Sequence, residues 1–251
     1  MTTTQGSLAK VPEITLGFWL IKIAATTLGE TGGDAVSMSL NLGYLVSTAI
    51  FALFCALAVY AQIRAARFHR VLYWVTIIAT TTVGTTLADF ADRSLGIGYA
   101  GGSLLLLALL LGSLFVWQRR LGSVAVQTVQ SPQAEMHYWL TIVFSQTLGT
   151  ALGDWVAASA GLGYTGAALV FGALLAVIAG LYFGTRISHI WLFWAAFILT
   201  RPLGAVVGDF LDKPVNAGGL ALSRFGASAA LLSFIAVCLL LFKQRPARSA
   251  H

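Results

Sequence analysis

A chain of 251 residues in which 58% are hydrophobic and 10% charged, with a mean hydropathy of +0.84, is far from a soluble domain, whose charged share is about 25%. The net charge of +6 does not argue for nucleic acid, because Lys and Arg sit at the ends of apolar runs and form no continuous basic face. Composition therefore excludes an ordinary soluble enzyme or nucleic-acid binder and points to an integral membrane protein.

A skeleton of Trp, Gly, Asp and Gly at constant spacing occurs four times: Trp19, Gly29, Asp34 and Gly43; Trp74, Gly84, Asp89 and Gly98; Trp139, Gly149, Asp154 and Gly163; Trp194, Gly204, Asp209 and Gly218. Such a repeat dictates the architecture. The first copy holds one apolar run over roughly 14–36 and a second over 43–63, after a Gly-Tyr turn. The plan recurs at 71–91 and 98–118, at 138–158 and 163–183, and at 189–211 and 219–242. Each run has about 20 residues or more, enough to cross a hydrocarbon core of about 30 Å as a helix. Open strands cannot satisfy their edges in lipid, and the runs are too long and continuous for a barrel. The spacing predicts an all-α integral membrane protein of eight transmembrane helices, one membrane domain over 1–251 with repeats 14–63, 71–118, 138–183 and 189–242.

Each copy crosses twice, so all four enter from one side and the repeats are parallel. Lys10, Arg64, Arg67, Arg70, Arg119, Arg120, Arg186, Lys243, Arg245 and Arg248 lie at the termini or between copies, against Arg93 and Lys213 within them. Ten against two predicts cytoplasmic termini. The start, MTTTQGSLAKVPEI, lacks the basic-then-apolar order of a cleaved signal, so the first helix is expected to stay. Copies two and four share an acid-Phe-x-acid-base string, DFADR from Asp89 and DFLDK from Asp209. Halves 10–120 and 130–245, related by a pseudo-twofold axis along the membrane normal, follow from that pairing. Cys55 and Cys238 lie in apolar runs and read as packing residues.

The residues that could carry chemistry sit around the central Gly and Asp of each copy. Gly29 with Gly33, Gly84 with Ala88, Gly149 with Gly153 and Gly204 with Gly208 make small-residue grooves for close helix packing. Seven of the nine acids, Glu30, Asp34, Asp89, Asp92, Asp154, Asp209 and Asp212, belong to these motifs. A carboxylate in hydrocarbon costs several kcal/mol unless paired, hydrated or protonated. With the four Trp as interfacial anchors, the Asp set lies about 22 Å deep and Glu30 near the midplane. Each Asp can instead cap its turn or bond a neighbouring Thr or Tyr. Thr26, Thr27, Thr81, Thr82 and Thr147 extend an oxygen-rich path, or bond back to their own helix. Glu30 stands where the other copies carry Thr85, Thr150 and Ala205, with no evident local base. Arg201 and Arg224 read as charge-neutralising partners of these acids before they read as substrate contacts. With His and Cys absent from the group, any metal at Glu30, Asp34, Asp89, Asp154 and Asp209 would be a hard ion such as Mn²⁺, Mg²⁺ or Ca²⁺.

These four copies resemble a bacterial membrane-protein family catalogued as a repeat of unknown function (domain of unknown function 347), with two transmembrane segments and a characteristic Trp per repeat. The resemblance runs from about Trp19 to Phe242. It implies the fold, the repeat number and a bacterial inner-membrane setting, and it brings no established activity. From the residues themselves the expectation is a transporter of a hard divalent cation, Mn²⁺ favoured, by proton exchange at intramembrane carboxylates. The alternatives are a proton-coupled carrier of a small organic solute, with Arg201 and Arg224 on an anionic group, or a non-transporting scaffold or sensor. No nucleophile–base pair, cofactor motif or nucleotide-binding loop argues for an enzyme. The expected partners are the lipid bilayer and a small ion or solute, with a homo-oligomer compatible with the pattern.

Overall fold

The computed structural model describes residues 9–159 and 161–247; Arg248 and His251 lie outside them, as does most of the N-terminal stretch read above. The described residues form eight long helices: α1 (Leu16–Asp34), α2 (Gly43–Arg64), α3 (Arg70–Asp89), α4 (Tyr99–Leu121), α5 (Pro132–Asp154), α6 (Gly163–Gly184), α7 (His189–Asp212) and α8 (Arg224–Leu241). Helix starts follow capping chemistry. The Thr15 and Ser131 hydroxyls accept from the backbone N–H of Phe18 and Ala134, and Pro132 fills the first turn of α5. The closing glycines of the skeleton, Gly43, Gly98, Gly163 and Gly218, all have φ between 63° and 85°, where a side chain would be strained.

Copy four departs from the sequence expectation. Its second run was expected from 219, yet α8 begins at Arg224. Pro214 and a 3₁₀ turn over Val215–Ala217 intervene, and the backbone N–H groups of Leu220 and Leu222 then bond the carbonyls of Phe210 and Leu211. The first residues of that run thus fold back on the end of α7.

The odd-numbered helices form a closed ring, α1 against α3, α3 against α5, α5 against α7 and α7 against α1. Each even-numbered helix covers the inner helix of the next copy: α2 lies on α3, α4 on α5, α6 on α7, and α8 closes the circle on α1. The arrangement is a pseudo-fourfold ring. Its glycines explain the closeness. A Cβ at Gly29 would strike Thr81, one at Gly84 the backbone of Gln146 and Thr147, one at Gly149 Arg201, and one at Gly204 Thr26. Thr26, Thr81, Gln146 and Arg201 are the same position in the four copies, so each inner helix lays one residue over the central Gly of its predecessor, as small-residue grooves permit.

Six of these segments (α2, α3 with the turn after it, α4, α6, α7 and α8) are long and apolar enough to cross a membrane. The outer helices present large apolar side chains outward, such as Leu104 at 67%, Leu169 at 70% and Phe183 at 86% exposure. That is the make-up of a multi-pass membrane protein. Lys22, Glu30 and the Thr, Gly and Gln of their middles dilute α1 and α5, which the ring flanks and α8 and α4 cover.

One end of the ring is covered by the described segments before α1 and after α8 together with the mid-chain segment. The backbone N–H of Lys10 bonds the Val129 carbonyl, Glu13 bonds Arg245, and Ala247 bonds Val11. Lys10 Nζ reaches Glu135 at 2.7 Å and the Ile63 carbonyl at 3.0 Å. The stretch between the halves is therefore packed structure.

The ring's closeness is testable at Gly84, whose added methyl would meet backbone that cannot rotate away. Gly84→Ala should lose about 1–3 kcal/mol of stability by overpacking, whereas Gly172→Ala, with open space around it, should lose nothing. Thermal unfolding of both variants in detergent measures this, and equal stability would refute the close approach.

Candidate functional site

The inner helices bring five successive i+4 positions together in layers around the axis. Phe18, Tyr73, Tyr138 and Phe193 form the first; Lys22, Ile77, Ile142 and Phe197 the second; Thr26, Thr81, Gln146 and Arg201 the third; Glu30, Thr85, Thr150 and Ala205 the fourth; Asp34, Asp89, Asp154 and Asp209 the fifth. Four residues of helix rise about 6 Å, so the column is about 24 Å long.

The aromatic layer closes one end. The Tyr73 and Tyr138 hydroxyls are 2.7 Å apart, and Trp74, Trp139 and Trp194 pack edge-on or tilted against these rings. The skeleton tryptophans were expected at the lipid interface. Instead Trp74, Trp139 and Trp194 are at most 2% exposed and Trp19 is partly buried. Two of the indole N–H groups donate to the segments that follow α4 and α8, Trp194 to the Val124 carbonyl at 2.9 Å and Trp74 to Gln244 Oε1 at 3.3 Å. Together with the aromatic layer they form the apolar core at this end of the ring.

The Asp layer closes the other end through two clamps. Arg93 pairs Asp89 of its own copy at 3.0 Å and Asp154 of the next at 3.4 Å, and also donates to the Tyr44 hydroxyl. Lys213 pairs Asp209 of its own copy at 2.9 Å and Asp34 of the next at 2.7 Å. The two clamps stand in the same relation to copies two and four, each base bridging the Asp of its own copy and that of the next. Arg224 adds Asp212 at 2.8 Å, with Asp34 at 3.7 Å. Carboxylate oxygens of Asp34, Asp209 and Asp212 lie within 4.8 Å of one another, with the Lys213 ammonium among them. Asp92 lies beside Gly102 of α4. After Asp34, Asp89 and Asp154 the inner helices pass into π turns over Ala35–Ser39, Phe90–Ser94 and Trp155–Ser159, a local widening common at functional sites.

Midway stands Glu30, a turn from the Asp layer. The base that the sequence did not place beside it is Arg201, which crosses Gly149 and brings Nη2 to 3.1 Å from Glu30 Oε2. The same nitrogen donates to the hydroxyls of Thr85 and Thr150. One guanidinium thus touches α1, α3 and α5 from α7. The five acids grouped as metal ligands are accordingly divided: Glu30 pairs with Arg201, Asp89 and Asp154 belong to the Arg93 clamp, and Asp34 and Asp209 to the Lys213 clamp. Thr27, Thr82 and Thr147 bond back to Ile23, Ile78 and Val143 of their own helices. Gly33, Gly153 and Gly208 seat Thr85, Ala205 and Glu30, one turn beyond the contacts of the central glycines.

Sequence reading passed over Lys22, which is fully buried in the second layer. The register comparison that singled out Glu30 finds it as well, since Ile77, Ile142 and Phe197 occupy the place in other copies. It also left Arg93 and Lys213 as loop charges, although each lies four residues after its Asp.

A four-repeat helical ring with a sealed polar axis is the class that this fold and site define. The chain belongs to the family described as Repeat of Unknown Function (DUF347), which matches residues 17–68, 72–122, 137–188 and 192–245. No curated protein and no solved structure matches it.

Glu30 and Arg201 are fully or nearly fully buried, so breaking the pair leaves a bare charge and costs about 3–5 kcal/mol. Glu30→Gln and Arg201→Gln should each lower the melting temperature, and the double variant should recover most of the loss, because Gln already stands at this position in copy three as Gln146. Additive single effects in that cycle would show that the pair is not coupled.

Proposed function

We propose that the protein is a transporter of the bacterial inner membrane, spanning it eight times with both termini on the cytoplasmic side, and that a small ion moves along the axis of the ring. Support for a path comes from the column itself, polar in its middle and closed at each end by a different device. Opening the two ends in turn would give alternating access, with the helix pairs of the pseudo-twofold halves as the moving bodies.

The ion is a hard divalent cation, Mn²⁺ favoured, exchanged for protons. One observation carries this reading: at the Asp end five carboxylates, Asp34, Asp89, Asp154, Asp209 and Asp212, face three bases, Arg93, Lys213 and Arg224. The surplus of negative charge attracts a cation from outside, and the cluster of Asp34, Asp209 and Asp212 supplies oxygen ligands alone, as hard ions require. A cation entering there displaces the Lys213 ammonium, which would unlock the clamp between copies four and one. The second reading, a carrier of an anionic solute, draws on the excess of cations deeper in the column.

In proteoliposomes loaded with a dye that Mn²⁺ quenches, the protein should carry Mn²⁺ inward. Asp34→Asn should cut the initial rate at least tenfold, and Asp154→Asn, which belongs to the other clamp, by threefold or less, with thermal melts confirming that both are folded. Wild-type uptake by Asp34→Asn, or none by the parent protein, would remove the cation reading. A reporter inserted near Asn41 or after Gly161 should be external and one fused at the C-terminus cytoplasmic; the reverse pattern would invert the proposed topology.

A further inference from the structure

Lys22 is the one column charge that the ion-pair geometry leaves unanswered. It is fully buried, its Nζ stands 4.1 Å from the centroid of the Phe197 ring, and among the described residues that nitrogen has no hydrogen-bond partner. Arg201, a second buried basic side chain, occupies the next layer of the column. Arg201 commits Nη2 to Glu30, Thr85 and Thr150, while its Nε and Nη1 are buried with no partner. Gln146, in the same layer as Arg201, is fully buried with both amide atoms free. Layers two to four therefore hold two cations against the single carboxylate of Glu30. A cation over a ring face gains about 0.5–2 kcal/mol, which does not offset the several kcal/mol of an ammonium held in a low-dielectric interior.

We propose that Lys22, Arg201 and Gln146 form a binding site for one small monovalent anion at the centre of the column. One anion brings the local charge to zero. It accepts from the open donors of Lys22 and Arg201, and the amide of Gln146 completes its surroundings. The close approach of the inner helices at this level, over Gly149 and Gly204, suits the site to a small anion such as a halide, nitrate or a short carboxylate. The site is separate from the acid cluster at the Asp end and does not depend on which ion that cluster carries.

The test uses the full chain in nanodiscs, titrated with sodium chloride, sodium nitrate and sodium formate against sodium gluconate at constant ionic strength. At least one of the three should raise the melting temperature saturably, since a ligand that binds only the folded state stabilises it by mass action. Lys22→Ile should insert and fold, because Ile77 and Ile142 already fill this layer. Its half-saturating concentration should rise at least tenfold, whereas Lys22→Arg should stay within threefold of the parent. Lys22→Met serves in place of Lys22→Ile should the latter fail to insert. No saturable response to any of the three salts, or the same half-saturation without the lysine, would overturn the proposal. Mn²⁺ uptake by a protein that shows no anion response would overturn it alone and leave the cation reading standing.

Discussion

Everything in this structure depends on how closely the four inner helices approach. The central Gly of each copy receives the residue three positions before the corresponding Gly of the next copy, and the fourth copy hands the contact back to the first through Thr26 and Gly204. Closure of that circle is what turns four hairpins into a ring with an axis. Between apolar helices in lipid, burial of oily surface drives nothing, so close packing and hydrogen bonding must hold the helices together. Thr26 shows both at once: its Cβ and hydroxyl fill the space over Gly204, and its Oγ1 donates to the Thr200 carbonyl of α7. Thr85 does the same toward the Gly29 carbonyl of α1.

Close packing has an electrostatic consequence. Helices that meet over glycine bring the residues on either side of the seam toward the axis, and four aspartates at one level would repel one another. Bases in copies two and four alone resolve this, each spanning its own Asp and that of the following copy. Two clamps suffice for four acids. Selection for charge balance therefore needs a base in alternate copies only, and the fourfold backbone carries a twofold pattern of side chains.

Much of this was legible in the sequence. Constant spacing of Trp, Gly, Asp and Gly gave the repeats, and apolar run lengths gave the helices, because both are local properties. The glycine and Asp positions were legible for the same reason. What could not be read was which helix lies against which: nothing in α2 says that it covers α3 rather than closing on its own partner α1. Once the order of the ring is unknown, so is the partner of Arg201, whose carboxylate lies 171 residues away. The tryptophans were misplaced by a rule that holds for lipid-facing helices, whereas these sit at the packed end of an inner ring, beside the Tyr73 and Tyr138 pair. The start of α8 was missed because the residues from 219 are apolar but begin by bonding back onto α7.

Among the five layers of the column, the residues differ most in charge between copies in the middle of the axis. The end layers are close to fourfold in kind, aromatic at one end and acidic at the other, while layers two to four hold Lys22, Arg201 and Glu30 once each. A duplicated fold needs none of these for packing, since Ile, Thr, Gln and Ala occupy the same places in sister copies. A charge inside a bundle is expensive, and a second charge that compensates the first explains Glu30 and Arg201 as a pair. It does not explain Lys22, which adds to the positive charge and neutralises nothing. A basic side chain buried without an acidic partner among the described residues, in the layers where the repeats differ from one another, places the distinctive chemistry of this chain on the axis between the two seals.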